Sequence, residues 1–169
     1  LWKKVAEAQS KDLPKTQYEL LGQIVRKAEA EAQYGQLLKA QLMQSSVSTQ
    51  ISPDSSNVEL ARLEQKAQSL KDPVLKAVYA SVLGNLYKMK PNSEAKSREW
   101  FALSLADPQL LARNESRSFE PAILNGIDSK IFYNDLLHVL GFEAGNFTTL
   151  REFYTQRGNR AAACIAAGY

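Results

Sequence analysis

The chain has 169 residues, of which 44% are hydrophobic and 23% are charged, as is typical of one ordinary globular domain. Its net charge is only +3 and its basic and acidic residues are interleaved, so no basic face for nucleic acid is predicted. The longest apolar run, residues 161–167, is too short to cross a bilayer, and a single cysteine excludes an internal disulfide and a thiolate zinc cluster.

Apolar residues recur at helical intervals almost throughout the chain, and no segment shows the sustained alternation of a strand. One such stripe consists of Leu60, Leu63, Ala67 and Leu70. Aspartate shortly before proline marks several helix starts, because aspartate caps free amides of the first turn and proline fits the first helical position. The predicted helices span residues 2–10, 14–31, 34–45, 57–71, 73–89, 93–105, 108–117, 131–141, 147–157 and 159–169.

Two stretches interrupt the helical pattern. Residues 45–57 are rich in serine and too polar to pack, so the sequence predicts a mobile loop there. Residues 118–130 are predicted to form a second irregular connection. The residues before the first loop are few for an independent core, so we predict one domain over residues 1–169, with a domain boundary at the loop as the alternative.

Three helix pairs match the pattern of a helix-turn-helix repeat. Their matching positions are Phe147, Leu150, Tyr154, Gly158 and Ala163 in the best case, then Leu83, Gly84, Tyr87, Trp100 and Pro108, then Tyr18, Leu21, Gly22 and Val25. These positions resemble those of tetratricopeptide (TPR) repeats, in which a small residue lies where the two helices cross. The sequence therefore predicts an all-α fold of antiparallel helix hairpins stacked as a TPR-like right-handed superhelical array, with an irregular helical bundle as the alternative.

The best-matching repeat stops inside its second helix, so we expect the chain to be a fragment of a larger protein. Ile165 and Tyr169 would then lack the helix that covers them. An exposed apolar patch, with dimerisation or fraying at this end, is the expected consequence.

Several short segments are similar to a known family, and they are residues 1–16, 36–40, 72–77, 128–132 and 157–162. In this order they resemble the N-terminal helical region of large alpha-2-macroglobulin-like proteins of Bacteroidetes. The resemblance implies a secreted, envelope-associated protein, periplasmic or extracellular, in which this region precedes β-sandwich macroglobulin domains. The chain begins with Leu1, so the residues themselves leave the compartment open. Cys164 does not stand in the family's Gly-Cys-Gly-Glu-Gln thioester motif, so no thioester chemistry is implied for this segment.

Asp135, His138 and Glu143 form the only cluster of acidic and histidine residues. Asp135 and His138 share a helix face that is geometrically able to hold a metal ion or relay a proton, but no third ligand has a definite spacing. The apolar neighbours favour a structural or surface histidine, and Cys164 is predicted to be buried and unreactive. Phosphate-binding loops and hydrolase motifs are missing, so no catalytic, cofactor-binding or metal-binding residue is predicted, and we do not expect an enzyme.

If the hairpins stack, side chains from the first helix of each pair line a concave surface. By register these side chains are Glu19, Gln23, Arg26, Ser81, Asn85, Lys88, Thr148, Glu152 and Thr155. All are polar, which suits a groove for a peptide or another domain, and equally a plain solvated face.

Two hypotheses of function follow from this surface and the resemblance. The first is a non-catalytic scaffold and protein-interaction domain at the N-terminus of a large envelope-associated alpha-2-macroglobulin-like protein. Its partners would be other domains of the same polypeptide, or a separate peptide or protein. The alternative is a stand-alone TPR-type adaptor that binds an extended peptide in its concave groove.

Overall fold

The computed structural model describes residues 1–169 and consists of α-helices joined by turns, with no β-strand. The helices are α1 (Trp2–Ser10), α2 (Pro14–Ala30), α3 (Tyr34–Ile51), α4 (Ser56–Ser69), α5 (Pro73–Lys88), α6 (Glu94–Ser104), α7 (Pro108–Ala112), α8 (Leu136–Ala144), α9 (Phe147–Gln156) and α10 (Arg160–Ala167). Short 3-10 helices cover Pro53–Ser55, Ser116–Phe119 and Ile127–Lys130. The predicted all-α class is confirmed.

The structure differs from the sequence prediction between residues 45 and 57, where the composition predicts a loop. Instead, α3 continues through this stretch to Ile51. Val47 packs in the core at 5% exposure, and the side-chain amide of Gln44 donates a hydrogen bond to the carbonyl oxygen of Tyr18. One buried valine and one buried amide therefore hold a polar segment in helical form against its neighbour.

Two further helices are shorter than the sequence predicts. α7 ends at Ala112, and residues 113–135 run through turns and two 3-10 helices. α8 begins only at Leu136 because Asp135 caps it, with the carboxylate accepting the backbone N–H of His138 at 2.9 Å. An irregular stretch therefore precedes α8, and it is longer than the sequence predicts.

The chain forms two compact units, of which the first comprises residues 1–65 and 118–124. In this unit α2 packs along α3, and α1 packs against α2. Its buried core consists of Val5, Leu21, Ile24, Val25, Ala28, Leu37, Ala40 and Val47. The segment 118–124 joins this unit through Phe119, whose ring stacks on that of Tyr34 with the centroids 6.3 Å apart. The single domain over residues 1–169 stays a prediction.

The second unit comprises residues 66–117 and 125–169. Within it α5 packs with α6, α9 packs with α10, and α8 contacts α5, α7 and α9. α5 and α6 meet closely at Gly84, where an added Cβ would lie 2.7 Å from the Phe101 ring. At the same place the Ser97 hydroxyl donates to the carbonyl oxygen of Gly84 at 2.8 Å. This pair of helices therefore requires a residue without a side chain at its crossing.

One turn geometry joins four pairs of successive helices: α1 to α2, α2 to α3, α8 to α9 and α9 to α10. In each turn one residue has a positive φ, and the next residue donates its backbone N–H to a carbonyl five positions earlier. The positive-φ residues are Asp12 (52°), Ala32 (52°), Gly145 (64°) and Gly158 (72°). These bonds define the Schellman motif, which satisfies the last carbonyl groups of a helix as the chain turns.

Candidate functional site

Four polar side chains form a buried hydrogen-bond network beside α8 and α9. His138 Nδ1 lies 2.9 Å from Asp135 Oδ1, and His138 Nε2 lies 3.0 Å from Ser129 Oγ. The Tyr154 hydroxyl donates to the other carboxylate oxygen, Asp135 Oδ2, at 2.7 Å. All four residues are at most 6% exposed, so protein encloses the network.

The local backbone brings these four groups together. The chain reaches Asp135 through a turn at Tyr133 and Asn134, both of which have a positive φ. The backbone N–H of Asn134 donates to the carbonyl oxygen of Ser129 at 2.8 Å. This turn ties the 3-10 helix Ile127–Lys130, which carries Ser129, back to the first turn of α8.

Aromatic packing holds the histidine ring in one orientation. The ring of Phe132 stacks on the imidazole of His138, with the centroids 5.0 Å apart and the planes 5° from parallel. Phe132 also meets the Tyr154 ring edge-on, with the centroids 5.2 Å apart. Rotation of the imidazole would therefore break both the ring stacking and the two side-chain hydrogen bonds.

The hydrogen-bond partners assign the protons of the network. Because the Asp135 carboxylate can only accept, His138 carries a hydrogen on Nδ1, and the Ser129 hydroxyl, which can donate or accept, is the partner of Nε2. Serine, histidine and aspartate are thus linked in the order found in serine hydrolases. Burial, and secondly the charge of Asp135, raise the pKa of Tyr154 well above its usual value, so its hydroxyl remains a donor.

Neighbouring residues enclose the Ser129 hydroxyl. A catalytic serine must come within about 3 Å of a substrate carbonyl, next to donors for the developing oxyanion. Ser129 is only 3% exposed, and surrounding side chains close its hydroxyl to a substrate. The geometry is suited to anchoring residues 125–135 against α8 and α9.

The acid and histidine cluster predicted from the sequence is only partly assembled. Asp135 contacts His138, whereas the exposed carboxylate of Glu143 accepts a hydrogen bond from the side-chain amide of Asn85 at 2.9 Å. No three His, Cys, Asp or Glu side chains are placed to hold a metal ion together. His138 is a buried, fully bonded residue, in agreement with the structural alternative of the sequence interpretation.

The structure contradicts the prediction that Cys164 is buried, because its side chain is exposed. α10 directs Ala162 and Ala166 to the core, where they are 0% and 1% exposed. Cys164 lies midway between them in sequence and therefore on the opposite side of the helix. The small apolar neighbours that favoured burial cover one face of α10 only.

At the end of the chain, Ile165 is half-buried and Tyr169 is 76% exposed. The Tyr169 ring nevertheless stacks on Phe147, with the centroids 5.0 Å apart, and meets Phe142 edge-on at 5.2 Å. An open aromatic surface is therefore present here, and dimerisation or fraying stays a prediction.

The nine residues predicted to face a partner divide between the two units, three in the first and six in the second. Seven are exposed: Glu19, Gln23, Arg26, Lys88, Thr148, Glu152 and Thr155. Asn85 is half-buried and bonded to Glu143. Ser81 is 3% exposed, because α5 is buried on most of its circumference, so the prediction of a partner-facing Ser81 is wrong.

A small polar cleft lies in the first unit, beside the turn between α1 and α2. It measures about 190 Å³ and is lined by Gln9, Asp12, Leu13, Pro14, Gln17, Met43, Ser46, Val47 and Gln50. Gln17 is 5% exposed, and no hydrogen bond joins its carboxamide to another residue. Every polar side-chain atom that is sealed from solvent has a partner, so this unpaired carboxamide reaches the cleft.

Sequence reasoning missed both Ser129 and Gln17. Ser129 precedes its partner His138 on a separate 3-10 helix, and no motif spacing connects them. Gln17 does leave a signal, because it shares the buried face of α2 with Leu21 and Ile24. A polar residue within an apolar stripe indicates either a bonded core group or a site.

Comparison of the chain with protein-family models, with curated proteins and with solved structures found no match. Judged by length and hydropathy, none of the helices qualifies as a membrane-spanning segment. The residues and their geometry therefore carry the functional argument.

Proposed function

We propose that this chain is a non-catalytic helical scaffold that binds protein, at the N-terminus of a large envelope-associated alpha-2-macroglobulin-like protein. The observation that carries the proposal is the recurrence of one Schellman turn in four helix connections. A repeated turn builds repeated hairpins, and stacked hairpins expose long helix faces that other proteins can bind. A periplasmic or extracellular location comes from the sequence resemblance alone.

A TPR-like array is the arrangement that we propose for these hairpins. Gly84 allows α5 and α6 to pack closely, and Gly141 does the same for α8 and α9, since a Cβ there would lie 2.5 Å from Leu150. Small residues at helix crossings are what such repeats use. The polar faces of α2 and α9 remain exposed, which suits contact with another domain.

The direct test is binding between this chain and the remaining domains of its own polypeptide, measured by titration calorimetry. We expect Arg26→Ala and Lys88→Ala each to weaken binding about tenfold, as loss of one charged contact does. Arg98→Ala is the matched control, because Arg98 is exposed on α6 outside the predicted face. Absence of any binding, with function of the full-length protein retained after deletion of this segment, would contradict the docking role.

The alternative is a stand-alone adaptor that binds an extended peptide. The exposed row Glu19, Gln23 and Arg26 on one face of α2 favours it, because this spacing presents three polar groups in line. The adaptor predicts micromolar affinity for a free peptide, whereas the scaffold requires a folded partner domain. Competition between peptide and folded domain for the chain distinguishes the two.

The non-catalytic part of the proposal has its own test, which is labelling with a fluorophosphonate probe. We expect no labelling of the native protein, because the hydroxyl of Ser129 is enclosed. Ser129→Ala serves as the control for labelling elsewhere. A stoichiometric adduct on Ser129 of the folded protein would replace the scaffold with a hydrolase.

A further inference from the structure

We propose that the cleft between the α1–α2 turn and the second half of α3 binds the main chain of a peptide, with Gln17 as its anchor. The inference goes beyond the docking faces described above, since Gln17 is not among the nine predicted contact residues. It rests on the proposed function only in that the ligand is a polypeptide.

Gln17 is a buried residue whose carboxamide has no partner within the protein. Its side chain is 95% buried, yet no other residue bonds its carboxamide. Gln44, also 5% exposed, does have a partner, because its amide donates to the carbonyl oxygen of Tyr18. Because every sealed polar atom has a partner, the Gln17 carboxamide meets the cleft rather than another protein group. The unpaired group is therefore available to a ligand in the cleft.

The cleft combines the Gln17 carboxamide with an apolar wall. A carboxamide presents an acceptor and two donors side by side, which complements the N–H and C=O of a peptide group. Leu13, Pro14, Met43 and Val47 provide an apolar wall for one small aliphatic side chain. The volume of about 190 Å³ is below the range of drug-sized pockets, so a single residue of a longer chain suits it best.

The charge of the cleft selects among peptide ligands. Asp12 is the only charged residue among those that line the cleft, and its carboxylate is part of the exposed turn. No lysine or arginine lines the cleft, so phosphate and acidic peptides have no partner there. A lysine or arginine beside the aliphatic residue would instead meet Asp12. The preferred ligand is therefore an extended peptide that carries a small aliphatic residue next to a basic one.

A second cavity in the same unit offers a contrast. It measures about 350 Å³ and is bordered by Trp2 and Gln36 among others. There the Trp2 indole N–H already donates to Gln36 Oε1 at 2.7 Å, and the ammonium of Lys39 lies 4.6 Å from the Trp2 ring centroid. Trp2 and Gln36 bond each other, and Gln33, which also borders this cavity, is exposed, so the cavity lacks the buried side chain with an unpaired carboxamide that distinguishes the Gln17 cleft.

The experiment is a titration of the ¹⁵N-labelled full chain with acetyl-Ala-Val-Lys-Ala-amide, followed by NMR. We expect a saturable shift of the Gln17 side-chain NH₂ signals. Gln17→Leu is expected to weaken binding at least about tenfold, as loss of paired hydrogen bonds does. Gln23→Leu is the matched control, because Gln23 is an exposed glutamine on the same helix, and it should leave binding unchanged.

Acetyl-Ala-Val-Glu-Ala-amide tests the charge argument, and its affinity should be about tenfold lower. Unchanged affinity in the folded Gln17→Leu protein would overturn the proposal. Absence of a saturable shift at millimolar peptide would mean that the cleft holds water only, and would also overturn it. Neither result would contradict the proposed scaffold function, which is tested separately through Arg26 and Lys88.

Discussion

The two units of this protein differ in the interactions that hold their backbone in place. In the first unit α1, α2 and α3 follow one another through turns of three residues, and their buried side chains are mostly apolar. In the second unit residues 113–117 and 125–135 form no long helix, and residues 125–135 rely on the network of Ser129, Asp135, His138 and Tyr154. Regular helices bond their own peptide groups, so apolar packing suffices for them. An irregular stretch needs specific polar side chains instead.

Asp135→Ala should have the largest effect on this comparison. The carboxylate caps α8, contacts the imidazole of His138 and accepts the hydroxyl of Tyr154. Its removal leaves three buried polar groups unpaired, and we expect a loss of about 4 kcal/mol in the free energy of unfolding. Urea denaturation followed by circular dichroism measures this loss.

Asp135→Asn is the matched control, since asparagine keeps the cap but changes the charge and the donor pattern. It should cost clearly less than alanine. Equal and small losses in both variants would show that the network is incidental, and the contrast between the two units would fail.

The next largest effect concerns close helix packing, through a pair of glycines in the two units. Gly84→Ala places a methyl group 2.7 Å from the Phe101 ring and should cost about 2 kcal/mol through overpacking. At Gly22 the nearest atom is the side-chain nitrogen of Gln44, 3.1 Å away, so the overlap with an added methyl group is smaller. Gly22→Ala should therefore cost clearly less than Gly84→Ala, because the overlap is smaller and alanine favours helix. Thermal unfolding of both variants checks the difference, and similar melting temperatures would contradict it.

The same contrast explains how far the sequence could predict this structure. Helices with a clear apolar stripe were predictable, and the hairpin around Gly158 was visible from its glycine. The connections at Asp12 and Ala32 were also predictable, but their positive φ was not, because it is imposed by the helices on either side rather than by residue type. Ser129 could not be paired with its histidine, since contacts within irregular chain follow no period.

Three sequence predictions are wrong because they depend on local composition rather than on the face of the helix that each residue occupies. The serine-rich end of α3 reads as a loop, although Val47 anchors it in the core. Cys164 has apolar neighbours in sequence, but burial on α10 depends on the side of the helix on which each lies. Ser81 was misplaced for the same reason on α5, which is buried on most sides. The burial of each of these side chains depends on the helix face on which it lies and on what packs against that face, rather than on local composition.

Tyr154→Phe should have a moderate effect that depends on pH. It removes one buried hydrogen bond to Asp135 and should cost about 1.5 kcal/mol at neutral pH. The raised pKa of Tyr154 means that the native state holds its proton more tightly than the unfolded state, whose tyrosine titrates near 10.0. Stability from this group is therefore complete below pH 10 and falls as pH rises above it.

Chemical denaturation at pH 8 and pH 11 provides the measurement for Tyr154. The variant should lose less stability than the wild type between these two values. A parallel decline in both proteins would mean that the hydroxyl of Tyr154 does not contribute in this way.

The smallest expected effects come from two substitutions in the turn that occurs in both units. One replaces alanine by glycine in the first unit, and the other replaces glycine by alanine in the second. Ala32 and Gly158 occupy equivalent positions with positive φ, 52° and 72°. Ala32→Gly relieves strain of about 1 kcal/mol in the left-handed region and adds a smaller entropic cost, so a net gain of about 0.5 kcal/mol is expected. Gly158→Ala should lose about 1 kcal/mol for the same reason. Opposite shifts in melting temperature would show that one turn operates in both units, whereas shifts of the same sign would mean that the surrounding helices dominate at one of them.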